Sequence, residues 1–173
     1  DEQKISAYRK EKVRCLFQDP VNSFDPLKKF RYYFDHFTTD KNKTESLINY
    51  FLLPEPKDFF DLYPYEVSGG MAQRITFILT LLSNAEIIIL DEPTSGIDAA
   101  VSNLLLLKLK EYVKLKNKSV LLITQDLLFA EKISNQIALL DNNSLTDFLS
   151  AKDFFNDVDN EIIRLYSGIK EDI

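Results

Sequence analysis

The chain has 173 residues, is 45% hydrophobic and carries a formal net charge of −6 with a pI near 4.9. That is enough apolar material for one ordinary core, which excludes a disordered chain, and the acidic balance opposes nucleic acid as a main partner. A single cysteine, Cys15, excludes an internal disulfide, no secretion-type leader is recognisable, and the apolar runs fall far short of the roughly 20 residues that span a bilayer, so a reducing cytosolic setting is expected.

In chain order, residues 1–20 end in CLFQDP, from Cys15 to Pro20, a segment that reads as a surface loop around Gln18. Residues 21–83 differ in character. Tyr and Phe are dense from Phe24 to Phe37, Pro54, Pro56 and Pro64 punctuate the segment, and Met71–Leu82 is strongly apolar, which together predict a separate helical lobe. Ser83–Asp91 runs from turn residues into Ile87-Ile88-Ile89-Leu90, the continuous apolar pattern of a strand covered on both faces. Asp98–Lys116 carries Val101, Leu104, Leu105, Leu109, Tyr112 and Val113 at helical spacing, and Ser119–Thr124 repeats the buried-strand pattern. Strand, helix, strand is a parallel crossover unit. A helix over Leu127–Ser134, a strand over Ile137–Leu140 and a turn over Asp141–Ser144 follow, where asparagine can adopt a left-handed backbone. The last 25 residues read as helical and peripheral.

Chemistry concentrates at two places. Asp91 and Glu92 put two carboxylates at the C-terminal end of a buried strand, where parallel α/β sheets gather their ligands. In a nucleotide site Asp91 can hold Mg²⁺ and Glu92, facing the other way, can polarise an attacking water. For an isolated pair, plain hydrogen bonding at a strand end is the simpler reading; Pro93, Thr94, Ser95, Gly96 and Asp98 following in order reverse that preference. Ser68-Gly69-Gly70 ahead of a long apolar helix offers a hydroxyl, unhindered N–H groups and a positive helix end, the parts of an anion site, although alone it would be a capped turn. Gln73 and Arg74, on the first turn, read by position as solvated residues. His36, the one histidine, lies among aromatics and charges and reads as a surface residue. The four glycines, Gly69, Gly70, Gly96 and Gly168, cannot form the GxxxxGK[ST] loop that cradles nucleotide phosphates.

Taken together, VSGGMAQR at Val67–Arg74, LDEPTSGID at Leu90–Asp98, CLFQDP and LLITQD at Leu121–Asp126 resemble the nucleotide-binding subunit of an ATP-binding cassette (ABC) transporter. The resemblance runs from about Val13 to about Leu145, and FQDPVNSFDP and YPYEVSGGMAQR are similar to ATPase subunits of peptide and nickel importers, Met71 included. It implies an α/β fold of the P-loop NTPase kind, a parallel sheet core plus a helical signature subdomain, with the N-terminal part missing. Residues 1–20 would be the end of the core with the Q-loop, 21–83 the helical subdomain, 84–145 the α/β core and 146–173 a C-terminal helical tail.

The resemblance also implies ATP and Mg²⁺ as cofactors and a head-to-tail dimer. Ser68, Gly69, Gly70 and Gln73 would serve the partner's ATP, Asp98 the interface loop, Asp91 and Gln18 the metal, and Glu92 with Gln125 catalysis. Transmembrane permease subunits and a second ATPase subunit are the expected partners, at the cytoplasmic face of the membrane. The sequence departs from the family at Gln125, where a histidine is usual, and in lacking the phosphate loop, so the 173-residue chain alone is expected to be inactive. A non-catalytic, degenerate cassette acting as an interaction module is the alternative. Soluble cassettes that organise chromosomes insert hundreds of residues between the Q-loop and the signature, whereas Gln18 and Ser68 are 50 positions apart (68 − 18).

Overall fold

The computed structural model describes residues 2–141, 143–157 and 163. It divides into two compact units, Asp1–Gln125 and Asp126–Ile173.

The first unit opens with helix α1 (Glu2–Lys12) and strand β1 (Val13–Leu16), continues through α2 (Phe30–Phe37), α3 (Lys41–Tyr50), the short α4 (Pro56–Phe59) and a 3₁₀ turn at Pro64–Glu66, and reaches α5 (Gly69–Leu82). Then come β2 (Ile87–Asp91), α6 (Ala99–Tyr112) and β3 (Ser119–Ile123). The strands form one parallel sheet in the order β1-β2-β3, in which Leu16, Leu90 and Leu122 stand in register. The expected crossover is therefore present, and β1 adds a strand that Val13-Arg14-Cys15-Leu16, with a charge inside four residues, did not announce.

Side-chain capping marks where several of the helices start, although α2 and α4 begin without it. Asp40 accepts from the Lys43 N–H at 2.9 Å, Ser68 from Met71 at 3.2 Å and Asp98 from Val101 at 2.9 Å, each contact contributing about 1 kcal/mol in typical hosts. Helix α5 buries Ala72, Ile75, Phe77, Ile78, Leu79 and Leu82 and packs on β1, α2 and α3. The aromatic-rich segment packs ring against ring: Phe24 meets Phe30 edge-on at 5.2 Å, Phe34 stacks on Phe60 at 4.7 Å, and Phe51 lies 6.0 Å from Phe77. His36, in the last turn of α2, is exposed beside Tyr32, as its setting predicts.

The sheet differs from expectation on one face. Ile88, Leu90 and Leu16 are buried, whereas Cys15 is exposed and Leu121 and Ile123 are 47% and 50% exposed. Register puts Cys15, Ile89 and Leu121 on the same side, so the side opposite Leu90 is the open one. An unbroken apolar run does not by itself say how many faces its own chain covers; here α5 packs against β1.

In the second unit, α7 (Leu127–Ile133) starts at Asp126, whose side chain accepts from the Phe129 N–H at 2.9 Å. The strand expected over Ile137–Leu140 is two short ones, β4 (Gln136–Ile137) and β5 (Leu140–Asp141), paired antiparallel with β7 (Leu149–Ser150) and β6 (Ser144–Leu145) respectively. Asn143 takes the left-handed backbone, at φ 60°, in the β5–β6 turn. The helix α8 (Ala151–Phe155) follows directly on β7, so residues 149–150, expected as helical tail, are strand. Most of the helical tail lies outside the described residues. Among those described, no helix is long and apolar enough to cross a membrane.

Candidate functional site

Because the three parallel strands end together, the residues that follow them share one edge of the sheet. Gln18, Glu92 and Thr124 each stand two positions beyond the in-register leucines Leu16, Leu90 and Leu122. Asp91 closes β2 opposite Ile123 and is partly buried, whereas Gln18 is exposed. Gln18 is followed by a folded turn: Asp19 accepts from the Asn22 N–H at 3.1 Å and from its side-chain amide at 2.7 Å, and these bonds, the backbone one foremost, hold the Asp19 carboxyl below its usual range.

Glu92 is the most constrained residue of this edge. Its φ is +47°, a left-handed conformation that costs a side-chain-bearing residue roughly 1–2 kcal/mol, and it precedes Pro93, a position that is ordinarily extended. The surroundings over-determine it. The Glu92 N–H donates to the Ile123 carbonyl at 2.9 Å and the Ser95 N–H to the Glu92 carbonyl at 3.1 Å. The Thr124 hydroxyl donates to Oε2 at 3.2 Å and the Gln125 backbone N–H to Oε1 at 3.0 Å. Glu92 therefore does not simply alternate away from Asp91, as the strand pattern predicts. The left-handed turn swings its carboxylate against the end of β3. Strain of this kind collects at functional sites, where neighbouring bonds sustain it.

The turn after Glu92 needs Gly96, at φ +75°, and ends at Asp98, which is exposed and caps α6. At the start of α5, Ser68 and Gly69 are exposed. A Cβ on Gly69 would meet nothing within 4 Å, and one on Gly70 would lie 3.9 Å from the Gly96 carbonyl oxygen, an ordinary contact. Nothing within the chain demands glycine at these two helix positions, where it is intrinsically unfavourable.

Gln73 and Arg74 are not the solvated residues their position suggests. Gln73 is only 3% exposed, and its Nε2 donates to the Pro93 carbonyl at 2.8 Å. Burial leaves its amide nitrogen facing its own chain. Arg74 donates to the carbonyls of Gly70 at 3.1 Å, Phe51 at 3.3 Å and Leu52 at 2.9 Å, pinning the end of α3 to α5. Sequence reasoning missed Thr124 and the Gln125 N–H as the groups that hold Glu92; their place just past a strand parallel to β2 was the available signal.

The donor set suits a hard cation shared with phosphates. Asp91 and Gln18 offer oxygen ligands on adjacent strand ends. Among the described residues no group of three or more His, Cys, Asp or Glu side chains converges on a metal position, and Mg²⁺ commonly takes one or two carboxylates and completes its shell from substrate and water.

Residues 1–95 match a family profile described as ABC transporter. The chain is 29% identical over 160 residues to the oligopeptide transport ATP-binding protein OppD of Lactococcus lactis subsp. cremoris (strain SK11), covering 87% of this chain and 47% of that protein. It is 28% identical over 171 residues to the nickel import ATP-binding protein NikD of Brucella abortus biovar 1 (strain 9-941), covering 92% and 64% respectively. The chain thus spans between 47% and 64% of the length of these relatives. Among solved structures, it is similar to the dimeric, post-hydrolysis state of the ATP-binding cassette MJ0796 bound to ADP and Pi, with TM-score 0.72, 20% identity, and coverage of 87% of this chain and 68% of that one. A structure of an ATP binding subunit of an ABC transporter matches with TM-score 0.77 and 20% identity over 98% of this chain and 72% of that one. At such identities the likeness concerns the fold.

Proposed function

The chain belongs to the ABC transporter family, and from that premise we propose that it is part of the ATP-binding and hydrolysing subunit of an importer, for oligopeptides or nickel, acting with permease subunits and a second ATPase subunit at the cytoplasmic face of a membrane. The observation that carries this reading is Glu92. A carboxylate held in a strained backbone at the C-terminal edge of a parallel sheet, next to Asp91 and bonded by Thr124 and Gln125, is built for a task that stability does not require.

In this reading Glu92 accepts a proton from the water that attacks the terminal phosphate, and Thr124 and the Gln125 N–H fix where its oxygens lie. Asp91 and Gln18 hold Mg²⁺, which when bound supplies charge neutralisation to the phosphates. Ser68, Gly69 and Gly70 present a hydroxyl and unbonded first-turn N–H groups to the nucleotide of the second subunit, and the two glycines leave room for close approach. Asp98 lies in the loop between subunits. Gln73, being buried, acts on that nucleotide through its own helix rather than by contact. The chain alone, without a phosphate loop, is inactive.

A second reading, a non-catalytic cassette that donates its signature surface to a partner, draws on Gln125, whose neutral amide replaces the family's usual histidine. One experiment separates the two: MgATP hydrolysis by the full-length protein in its assembled transporter. Turnover that Glu92→Gln abolishes supports the enzyme; turnover that survives Glu92→Gln, or none in the native assembly, overturns it.

A further inference from the structure

We propose that Gln73 is a positioning residue that ties the occupancy of the Ser68–Gly70 surface to the placement of Glu92, so that one chain's signature helix sets the readiness of its own catalytic carboxylate. The inference rests on the ATPase reading above and adds a coupling to it.

Three observations carry it. First, Gln73 is a buried amide in the first turns of a long helix, 3% exposed, and it donates not within its own helix but to the Pro93 carbonyl at 2.8 Å. Buried polar side chains are retained where they are satisfied, and this one is satisfied by the residue that follows Glu92. Second, Glu92 stands at φ +47° ahead of Pro93, so its conformation depends on bonds made by its neighbours. The bond from Gln73 anchors the Pro93 side of the turn, and the bonds from Thr124 and Gln125 anchor the carboxylate side. Third, the same helix turn approaches the same loop again, since a Cβ on Gly70 would sit 3.9 Å from the Gly96 oxygen.

Helix α5 thus bonds to the loop that starts at Glu92 at Pro93 and runs close to it again at Gly96. Ser68 and Gln73 are five residues apart (73 − 68), about 7.5 Å along the helix axis. A helical turn does not stretch over that distance. A small shift of α5 when an anion engages Ser68–Gly70 therefore moves the donor on Pro93, and a strained turn with two anchors responds by repositioning its carboxylate rather than by deforming gradually. Pro93 has no N–H of its own to brace the turn, so its carbonyl is the handle that α5 can reach.

The test uses the full-length protein in its assembled transporter, with hydrolysis followed as a function of MgATP concentration. Gln73→Met keeps the shape and removes the donor. The expected result is a kcat lower by about tenfold, a KM for MgATP changed less than about twofold, and a Hill coefficient falling toward one, read well below the thermal midpoint on protein whose folded fraction equals wild type; the midpoint itself drops, because the buried Pro93 carbonyl loses its donor. Gln73→Glu provides the second arm. A buried carboxyl can donate to the Pro93 carbonyl only when protonated, so its kcat rises relative to wild type as pH is lowered. Hydrolysis in the wild type that Gln73→Met leaves unchanged in kcat and Hill coefficient overturns the inference alone, as does a pH profile of Gln73→Glu parallel to wild type. Wild-type protein without Glu92-dependent hydrolysis overturns the ATPase reading beneath it.

Discussion

The backbone N–H of Gln125 donates to Oε1 of Glu92 over 3.0 Å, so this residue supports the carboxylate proposed as catalytic through an atom its side chain does not alter. In the proposed site, the consequence of having glutamine at this position is then confined to what the side chain can offer a phosphate. A neutral amide donates a hydrogen bond but cannot make a charge-assisted one, a difference of roughly 1 to 2 kcal/mol.

Gln125→His is accordingly expected to raise kcat by about tenfold in the full-length protein while leaving the position of Glu92 intact. Steady-state hydrolysis checks this, and an unchanged or reduced rate would count against the proposed role.

Gly69→Ala separates fold from function at the signature. The added Cβ meets open space and the backbone is not left-handed, so thermal stability should stay level or rise by up to about 1 kcal/mol. Under the proposed function, hydrolysis by the assembled dimer should nonetheless fall, because the methyl group would stand where that proposal brings a second subunit's nucleotide. Calorimetry paired with an ATPase assay reads both. Equal activity in the variant would remove Gly69 from the site.

Arg74 is predicted to be structural. Its guanidinium serves three carbonyls on two segments, Gly70 beside it and Phe51 and Leu52 at the end of α3. Arg74→Met should destabilise the protein by about 2–3 kcal/mol, and Arg74→Lys should recover little, since an ammonium cannot reproduce the planar fork. Denaturant midpoints with unchanged m-values measure the effect, and a loss under 0.5 kcal/mol, the range of about ±0.5 typical of ordinary surface changes, would show these bonds to be incidental.

The open side of the sheet makes a prediction about the isolated chain. Leu121 and Ile123, 47% and 50% exposed on an edge strand, form the kind of surface that drives self-association. The double substitution Leu121→Lys, Ile123→Lys should shift the 173-residue chain toward monomer in sedimentation velocity. An unaltered distribution would place the sticky surface elsewhere.

Much of the site is legible in the sequence. Asp91 and Glu92 declare themselves because a carboxylate pair is expensive after four apolar residues, Asp98 because it precedes a helix with clear periodicity, and Ser68 because it precedes a long apolar one. The three-stranded parallel order was half legible: β2, α6 and β3 follow from apolar runs and helical spacing, whereas β1, short and carrying Arg14, has no such signature. Gln73 was misplaced for a related reason. Helical periodicity assigns a residue to a face, but α5 is covered on almost every side, and a polar residue within it can be buried if another segment supplies an acceptor.

The sequence by itself determined the family, the parallel crossover, the helix starts at Ser68 and Asp98 and the chemical types available at the strand ends, because these depend on local spacing and on residues whose chemistry is costly to place without use. Only the tertiary structure decided that Glu92 is held left-handed by Thr124 and Gln125, that Gln73 grips the Pro93 carbonyl, and that one side of the sheet stays open. The bonds join residues 20 to 33 positions apart, and hydrogen-bond geometry across such separations, like the cover of a sheet face, is fixed by how the strands and helices pack, which no local pattern encodes.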